Sequence, residues 1–255
     1  MFLFGCATVP VTGRKQLNLV SNQELIPLSF QNYKSVLADG KLSSNKKDTE
    51  LIKRVGSRIE AAVEEYMREN GIAGQLNGFE WDFNLIENDS TVNAWCMPGG
   101  KVAFYTGILP ICDGELGVAV VMGHEIAHAI ANHSRERMSQ QMAMSGILSI
   151  GSAAAGASSG VIDDLFLKSV GIGSQIGMLK FSRDNESEAD RMGLIFMAIA
   201  GYDPAEAPKF WLRMEQLAGG SQPPAWLSTH PSHEQRITDL NTWQQEAKVY
   251  YEERK

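Results

Sequence analysis

The sequence predicts a mainly helical α+β fold in which a small β-sheet with an edge hairpin lies beside one buried helix. Three patterns indicate this fold: helical periodicity in several segments, an alternating segment followed by a hairpin pattern, and an apolar helix directly after them. With 255 residues and 44% hydrophobic content, the chain can bury a large core. We expect a single domain over residues 21–255, preceded by an N-terminal segment over residues 1–20.

The predicted elements follow one another without an internal repeat. Helical periodicity predicts helices over residues 21–38 and 48–70. Further helices are predicted over residues 184–200, where Gly201 is the stop, 204–218, which Asp203-Pro204 opens, and 232–253. Residues 79–86 alternate apolar and polar side chains, as a half-buried strand does. A Pro98-Gly99-Gly100 turn joins residues 92–97 to 101–106, which predicts a hairpin immediately ahead of the apolar helix.

The apolar helix, over residues 116–131, contains His124-Glu125-Ile126-Ala127-His128. Because four residues make about one helical turn, both imidazoles leave the same face and can bind one Zn²⁺, with Glu125 beside the open coordination position. Two unpaired histidines would be costly in a buried helix, and a metal removes that cost. The alternative is a pair of core histidines that bond to backbone carbonyls. The motif favours a zincin-like metallopeptidase with one zinc ion per chain.

A third protein ligand must come from elsewhere, and Glu186 and Asp190 stand four apart on a predicted helix. One carboxylate can ligate zinc while the other orients a ligand histidine; with Glu186 as the ligand, this is the two-histidine, one-glutamate set. His133 does not fit the extended zinc motif, which needs glycine at position 131 and histidine at 134. We expect His133 to cap or pack near the helix end and Glu188 to be a surface or structural residue.

Charge and cysteine content limit the function classes. A net charge of −7, without a cluster of Lys and Arg, argues against a nucleic-acid partner. Leu3-Phe4-Gly5-Cys6 resembles the lipobox of a bacterial lipoprotein, which predicts a periplasmic protein anchored to the outer membrane through lipidated Cys6. A chance cysteine would instead leave a cytoplasmic protein. After export, Cys96 and Cys112 could form a disulfide.

Residues 138–162 contain no charged side chain, so their length alone would permit a membrane span. Their many serines and glycines and few large aliphatic residues favour a mobile or partly helical cover over the active site. The sequence leaves open whether this segment is a lid or a buried helix.

Three motifs in order resemble metallopeptidase family forty-eight, which includes HtpX, the CAAX prenyl proteases and BepA. They are the His124–His128 run, Glu186-x-x-x-Asp190, and Thr229-His230-Pro231 followed by Arg236-Ile237. The similarity extends from Pro10-Val11-Thr12-Gly13-Arg14-Lys15-Gln16-Leu17 to about residue 240. The resemblance implies a gluzincin endopeptidase and is strongest to the periplasmic lipoprotein branch of LoiP and YcaL.

The expected chemistry is peptide hydrolysis by metal-activated water on His124, His128 and Glu186, with Glu125 as general base. The resemblance assigns His230 and Arg236 to the developing oxyanion. It also implies that His230 can instead be a fourth zinc ligand in a resting enzyme.

We expect the substrate to add as a strand along Asn93, Ala94 and Trp95, which suits unfolded or misassembled envelope proteins. The alternatives are a latent peptidase that acts mainly as a chaperone-like envelope assembly factor, and a lipoprotein that uses the fold only for binding.

Overall fold

The computed structural model describes residues 5–145, 159–172, 180–218, 224–231 and 235–254. The strands in this part of the chain are β1 Gly5–Thr8, β2 Lys15–Asn18, β3 Asp82–Ile86, β4 Ala94–Met97 and β5 Lys101–Tyr105. Its helices are α1 Asn22–Asp39, α2 Lys46–Glu69, α3 Leu109–Cys112, α4 Glu115–Ile130, α5 His133–Met144, α6 Ser159–Val170, α7 Arg183–Ile199, α8 Glu206–Ala218, α9 Ala225–Thr229 and α10 Arg236–Glu252. The fold is mainly helical with a small sheet, as predicted.

The predicted hairpin is confirmed within a three-stranded sheet of order β3-β5-β4. β4 pairs antiparallel with β5, and β3 pairs parallel with it, so that β4 is an edge strand. The predicted strand over 79–86 begins only at Asp82. Phe79 donates its N–H to the Leu76 carbonyl in a turn, which keeps the first residues out of the ladder.

Both faces of the sheet are covered, and alternate side chains enter two different cores. One face packs against α2 and α4; it carries Phe83, Leu85, Ala94, Cys96, Val102 and Phe104. The other face packs against α1 and α6; it carries Ile86, Trp95, Met97 and Ala103. This double cover explains why β4 is apolar at every position.

Helix α4 lies at the centre of the molecule and contacts α2, α7, α8 and β4. Its residues from Gly117 to Ile130 are buried. Where α4 crosses α7 the backbones touch: a Cβ on Gly123 would lie 2.8 Å from the Gly193 carbonyl oxygen, and one on Gly193 would lie 2.9 Å from Gly123. This close approach brings the carboxylates of α7 to the histidines of α4.

The first strands, β1 and β2, form a hairpin that the sequence did not predict. Strand β2 packs against α5. Gln16 donates its side-chain N–H to the Ala131 carbonyl at 3.0 Å, at the junction of α4 and α5. The predicted boundary between an N-terminal segment and a domain at residues 20 and 21 stays a prediction.

The uncharged segment is described only at its ends, where α5 reaches Met144 and α6 begins at Ser159. The predicted cover therefore lies largely outside the described residues. Within the described ranges, no single helix is long and apolar enough to cross a membrane, and one bent pair, Thr106–Cys112 with Glu115–Ile130, passes by length and composition.

Cys96 on β4 and Cys112 on α3 are free, buried thiols, so the disulfide considered from the sequence does not form. Burial raises the pKa of Cys112 to about 12 and that of Cys96 well above its usual value. Both thiols therefore remain protonated at neutral pH and act as small apolar core residues. The side chain of Cys6 lies outside the described part of the structure.

Candidate metal centre

Four buried side chains point donor atoms at one place between α4, α7 and the end of α9. The Nε2 atoms of His124 and His128 lie 3.0 Å apart. Glu186 Oε1 lies 3.4 Å from His128 Nε2, and Glu186 Oε2 lies 3.6 Å from His124 Nε2. His230 Nδ1 lies 3.2 Å from His124 Nε2 and 3.0 Å from Glu186 Oε1. All four donors fall within 4.8 Å of one another.

Glu186 stands in the first turn of α7 because a capping box starts that helix. Ser182 Oγ accepts the N–H of Asn185, and the Asn185 side chain accepts the N–H of Ser182. The N-terminal end of a helix favours a carboxylate. Burial alone would raise the pKa of Glu186, but His230 and Arg236 hold it well below its usual value. Glu186 is therefore an ionised, buried carboxylate.

His124 is oriented by a carboxylate on α7. Its Nδ1 lies 2.9 Å from Asp190 Oδ1, which leaves Nε2 facing the other donors. Arg236 holds Asp190 in turn, with Nη2 2.8 Å from Oδ1 and Nε 2.8 Å from Oδ2. A carboxylate behind a ligand histidine fixes its tautomer and its ring orientation.

Arg236 is fully buried behind the donor atoms. Its Nη1 lies 2.8 Å from Glu186 Oε2, and its guanidinium lies 3.2 Å above the Trp211 ring. All its nitrogens therefore engage the two carboxylates of α7, whereas the resemblance assigned them to the oxyanion. This placement suits an arginine that positions Glu186 and Asp190.

His128 is oriented by two residues that sequence reasoning set aside. Its Nδ1 lies 2.8 Å from Nδ1 of His133, and His133 Nε2 lies 3.0 Å from Glu188 Oε2. His133 does pack at a helix end, as expected, but it also contacts His128. Glu188 is buried, so the alternative that placed it on the surface is wrong.

The arrangement fits a metal ion. Burial holds the pKa of His128 and of His230 below the usual value, which favours neutral imidazoles, the form that binds metals. If Nδ1 carries the ring proton in both His124 and His128, their Nε2 lone pairs face each other at 3.0 Å. Two facing lone pairs are unfavourable unless a cation lies between them. The model for Peptidase family M48 matches residues 54–244 of this chain, and this match includes all four donors.

The chain belongs to peptidase family M48. It is thus a metallopeptidase that acts on polypeptides, as the sequence motifs indicated. The narrower similarity to the LoiP and YcaL branch stays a prediction.

This M48 chain resembles curated proteins from mitochondria and from bacteria. The mitochondrial metalloendopeptidase OMA1 of Schizosaccharomyces pombe is 36% identical over 94% of this chain and 67% of its own length. OMA1 of Saccharomyces cerevisiae is 34% identical over 76% of this chain and 55% of its own length. The beta-barrel assembly-enhancing protease of Escherichia coli is 33% identical over 62% of this chain and 33% of its own length. The chain thus spans between a third and two thirds of these relatives.

Trp226, which the sequence motifs did not single out, closes the metal centre of this M48 chain. Its indole N–H donates to Glu125 Oε1 at 2.7 Å, and its backbone N–H donates to the Val92 carbonyl at 3.0 Å, just before β4. Burial raises the pKa of Glu125 to about 8, which His124 and the Trp226 hydrogen bond partly oppose. The sequence marks Trp226 only as an aromatic residue shortly before the Thr229-His230-Pro231 motif.

The predicted substrate residues Asn93, Ala94 and Trp95 are buried at the start of β4. Asn93 uses its carbonyl to accept the N–H of Tyr105 on the neighbouring strand. Trp95 turns to the face covered by α1, where it meets Tyr33 edge to face at 5.8 Å. Because Trp226 of α9 bonds to Val92, this helix lies next to the edge strand as well as next to the metal centre.

Proposed function

We propose that this protein is a zinc-dependent endopeptidase with Glu125 as general base. The observation that carries the proposal is the spacing of the four donor atoms. Bonds of about 2.0–2.1 Å in a tetrahedral zinc site put neighbouring donors about 3.3 Å apart. Five contacts among His124, His128, Glu186 and His230 span 3.0–3.6 Å, and all four donors lie within 4.8 Å of one another.

Bound zinc supplies a Lewis acid that lowers the pKa of water and polarises the scissile carbonyl. Glu125 accepts the proton of the attacking water and passes it to the leaving amine. A carboxyl group with a pKa raised toward neutrality can do both, because its proton affinity is close to the working pH. The Trp226 indole fixes one oxygen of Glu125 and leaves the other to meet the water.

His230 has two roles in this proposal. Its Nδ1 lies 3.0 Å from Glu186, where it would hold a bound metal as a fourth protein ligand and keep the enzyme latent. When α9 moves away to admit substrate, the imidazole becomes a donor to the developing oxyanion. Arg236 keeps a positioning role throughout, because its nitrogens remain on Glu186 and Asp190.

We propose that substrate adds as a strand along β4. The edge position of β4 supports this mode, since an extended peptide can then pair with Val92 and Ala94 whatever its sequence. The backbone N–H of Trp226 donates to the Val92 carbonyl. Substrate can therefore pair with Val92 only when α9 moves away. Pairing through the backbone suits unfolded or misassembled proteins of the bacterial envelope.

The second candidate is a latent peptidase that acts mainly as a chaperone-like assembly factor. It is favoured by the two contacts that close the centre, His230 on Glu186 and Trp226 on Glu125. Cleavage by the His230→Ala variant distinguishes the active endopeptidase from the latent peptidase. A rise in cleavage supports the latent state and a fall supports the oxyanion role, while unchanged cleavage contradicts both roles.

The proposed location is the periplasm, with Cys6 lipidated and anchored to the outer membrane. It rests on the lipobox-like Leu3-Phe4-Gly5-Cys6. In cells fed labelled palmitate, the wild-type protein should carry the label and the Cys6→Ser protein should not. An unlabelled wild type contradicts the anchor and favours a cytoplasmic protein.

The decisive experiment compares wild type, Glu125→Gln and the matched surface control Glu64→Gln. We expect about one zinc per chain in all three, by metal analysis, and chelator-sensitive cleavage of unfolded casein by wild type and control only. Substantial cleavage by Glu125→Gln refutes the general base. A wild type that binds no zinc favours a non-enzymatic binding module.

A further inference from the structure

The proposed function leaves one motif unused, the run from Pro10 to Leu17 that opens the resemblance. Residues 10–14 of this run form the turn between β1 and β2, and the rest lie in β2. The Val9 N–H donates to the Arg14 carbonyl at 2.8 Å, and the Gly13 N–H donates to the Val9 carbonyl at 3.0 Å. Val11 has φ +67°, which is strained for a β-branched residue. Such a conformation persists only where surrounding contacts enforce it.

Those contacts come from two side chains of the turn. Thr12 Oγ1 donates to Glu188 Oε1, and Arg14 Nε donates to Glu188 Oε2 at 2.8 Å. The other end of the same guanidinium forms a fork on Glu136, with Nη1 2.8 Å from Oε1 and Nη2 2.7 Å from Oε2. Arg14 thereby joins α5, which carries Glu136, to α7, which carries Glu188.

From Glu188 the contacts run directly to the metal centre. His133 Nε2 lies 3.0 Å from Glu188 Oε2, and His133 Nδ1 lies 2.8 Å from His128 Nδ1. When His128 binds a metal through Nε2, its Nδ1 carries the proton and donates to His133. His133 then carries its own proton on Nε2 and donates to Glu188, so every hydrogen bond in the chain has one donor and one acceptor.

We propose that Thr12 and Arg14 are positioning residues of the metal centre, acting on His128 through Glu188 and His133. This inference rests on the proposed zinc site and deepens it. A ligand whose ring is fixed in advance loses less freedom on binding and is a stronger base toward the metal. The turn between β1 and β2 is therefore part of the machinery that sets metal affinity, although no atom of it lies in the site.

The geometry allows His133 no other support of this kind. Its ring is buried, and its two nitrogens are used by His128 and Glu188. Glu188 in turn receives the imidazole, the threonine hydroxyl and the guanidinium on its two oxygens. Loss of the turn contacts frees the Glu188 carboxylate to rotate, and the orientation of both imidazoles is lost with it.

The test measures the zinc dissociation constant of the purified full chain by competition with a chelating dye. We expect His133→Gln and Arg14→Gln to weaken zinc binding about 10- to 100-fold, the range for loss of such supporting partners. Thr12→Val should weaken it less, because Arg14 still holds Glu188. Arg14→Lys should fall between wild type and Arg14→Gln, since an ammonium group cannot form the fork on Glu136.

Arg54→Gln is the matched control. Arg54 also contacts a glutamate through two nitrogens, at 3.3 and 2.8 Å from Glu115, but this glutamate is the first residue of α4, nine residues before His124. Thermal unfolding of the metal-free proteins is measured in parallel. If Arg14→Gln fails to fold, Thr12→Val and His133→Gln decide the question.

Dissociation constants within twofold of the Arg54→Gln control for all these variants overturn the inference. A wild type that binds no zinc overturns the proposed function instead. A wild type that binds zinc and cleaves casein, alongside variants of unchanged affinity, overturns the inference alone. The two failures are therefore distinguishable.

Discussion

His124 and His128, the two histidines of α4, are supported in different ways. His124 meets a carboxylate directly, Asp190, and Arg236 of α10 holds that carboxylate. His128 meets a second histidine first, and only then a carboxylate and Arg14 of the β1–β2 turn. Both routes end on a guanidinium from a distant segment, but one is short and fully buried and the other is long and reaches a side chain that is 26% exposed.

This difference separates a fixed part of the centre from an adjustable one. Arg236 and Asp190 are enclosed by the core, so that solvent and partners cannot reach them. Arg14 lies near the surface, where a change in the turn between β1 and β2 can reach His128 through three contacts. The longer route is the place where the N-terminal segment can influence metal binding.

The largest difference in stability is expected between substitutions of the two arginines. Arg236→Gln removes a buried cation from Glu186 and Asp190 and should destabilise the metal-free protein by about 3–5 kcal/mol. Arg14→Gln should cost less, about 1–3 kcal/mol, because Arg14 is itself 26% exposed although the carboxylates of Glu136 and Glu188 are buried. Urea unfolding of both variants measures the difference. Equal losses would contradict the contrast between a buried and an accessible support.

A smaller effect is expected where α4 crosses α7. Gly193→Ala puts a Cβ against the Gly123 backbone, and such overpacking costs about 1–3 kcal/mol. The crossing sets the distance from His124 to Glu186 and Asp190, so zinc affinity should fall as well. Gly74→Ala is the control, because its Cβ would meet only Asn77 at 3.9 Å. Stability within about 0.5 kcal/mol of that control, which is the spread of neutral surface changes, would show that the crossing tolerates a side chain.

The smallest expected effect is on Glu125, which belongs neither to the contacts behind His124 nor to those behind His128. Trp226→Phe keeps the stacking on Trp211 at 4.9 Å and loses the N–H bonded to the carboxylate. A hydrogen bond to the charged form lowers the pKa of Glu125, so its loss raises that pKa. The acidic limb of the kcat/KM profile should therefore move to higher pH. A limb that moves to lower pH, or stays in place, would exclude this role for Trp226.

The support of His124 by Asp190 could be predicted from the sequence because it depends on spacing within single helices. His124 and His128 lie one turn apart on α4, and Glu186 and Asp190 lie one turn apart on α7. The small sheet followed equally from alternation and the Pro98–Gly100 turn. These are local patterns, which a sequence displays directly.

The long route was hidden because the helix breaks after Ile130. In a continuous helix His133 would stand about 140° around the axis from His128. Asn132 adopts a left-handed conformation with φ +58°, which asparagine tolerates, and the chain restarts as α5 with His133 turned back toward His128. The contact from Arg14 to Glu188 joins residues 174 positions apart, and a spacing of that kind carries no local pattern.

Zinc affinity of Asp190→Asn, Glu188→Gln and the double variant tests the two supports most directly. The wild type should bind about one zinc per chain. Each single variant should bind more weakly, Asp190→Asn more so than Glu188→Gln, because Asp190 contacts its ligand histidine without an intermediary. The double variant should lose about the product of the two factors, since the carboxylates act on different ligands. A Glu188→Gln protein that binds zinc as tightly as wild type would contradict the account.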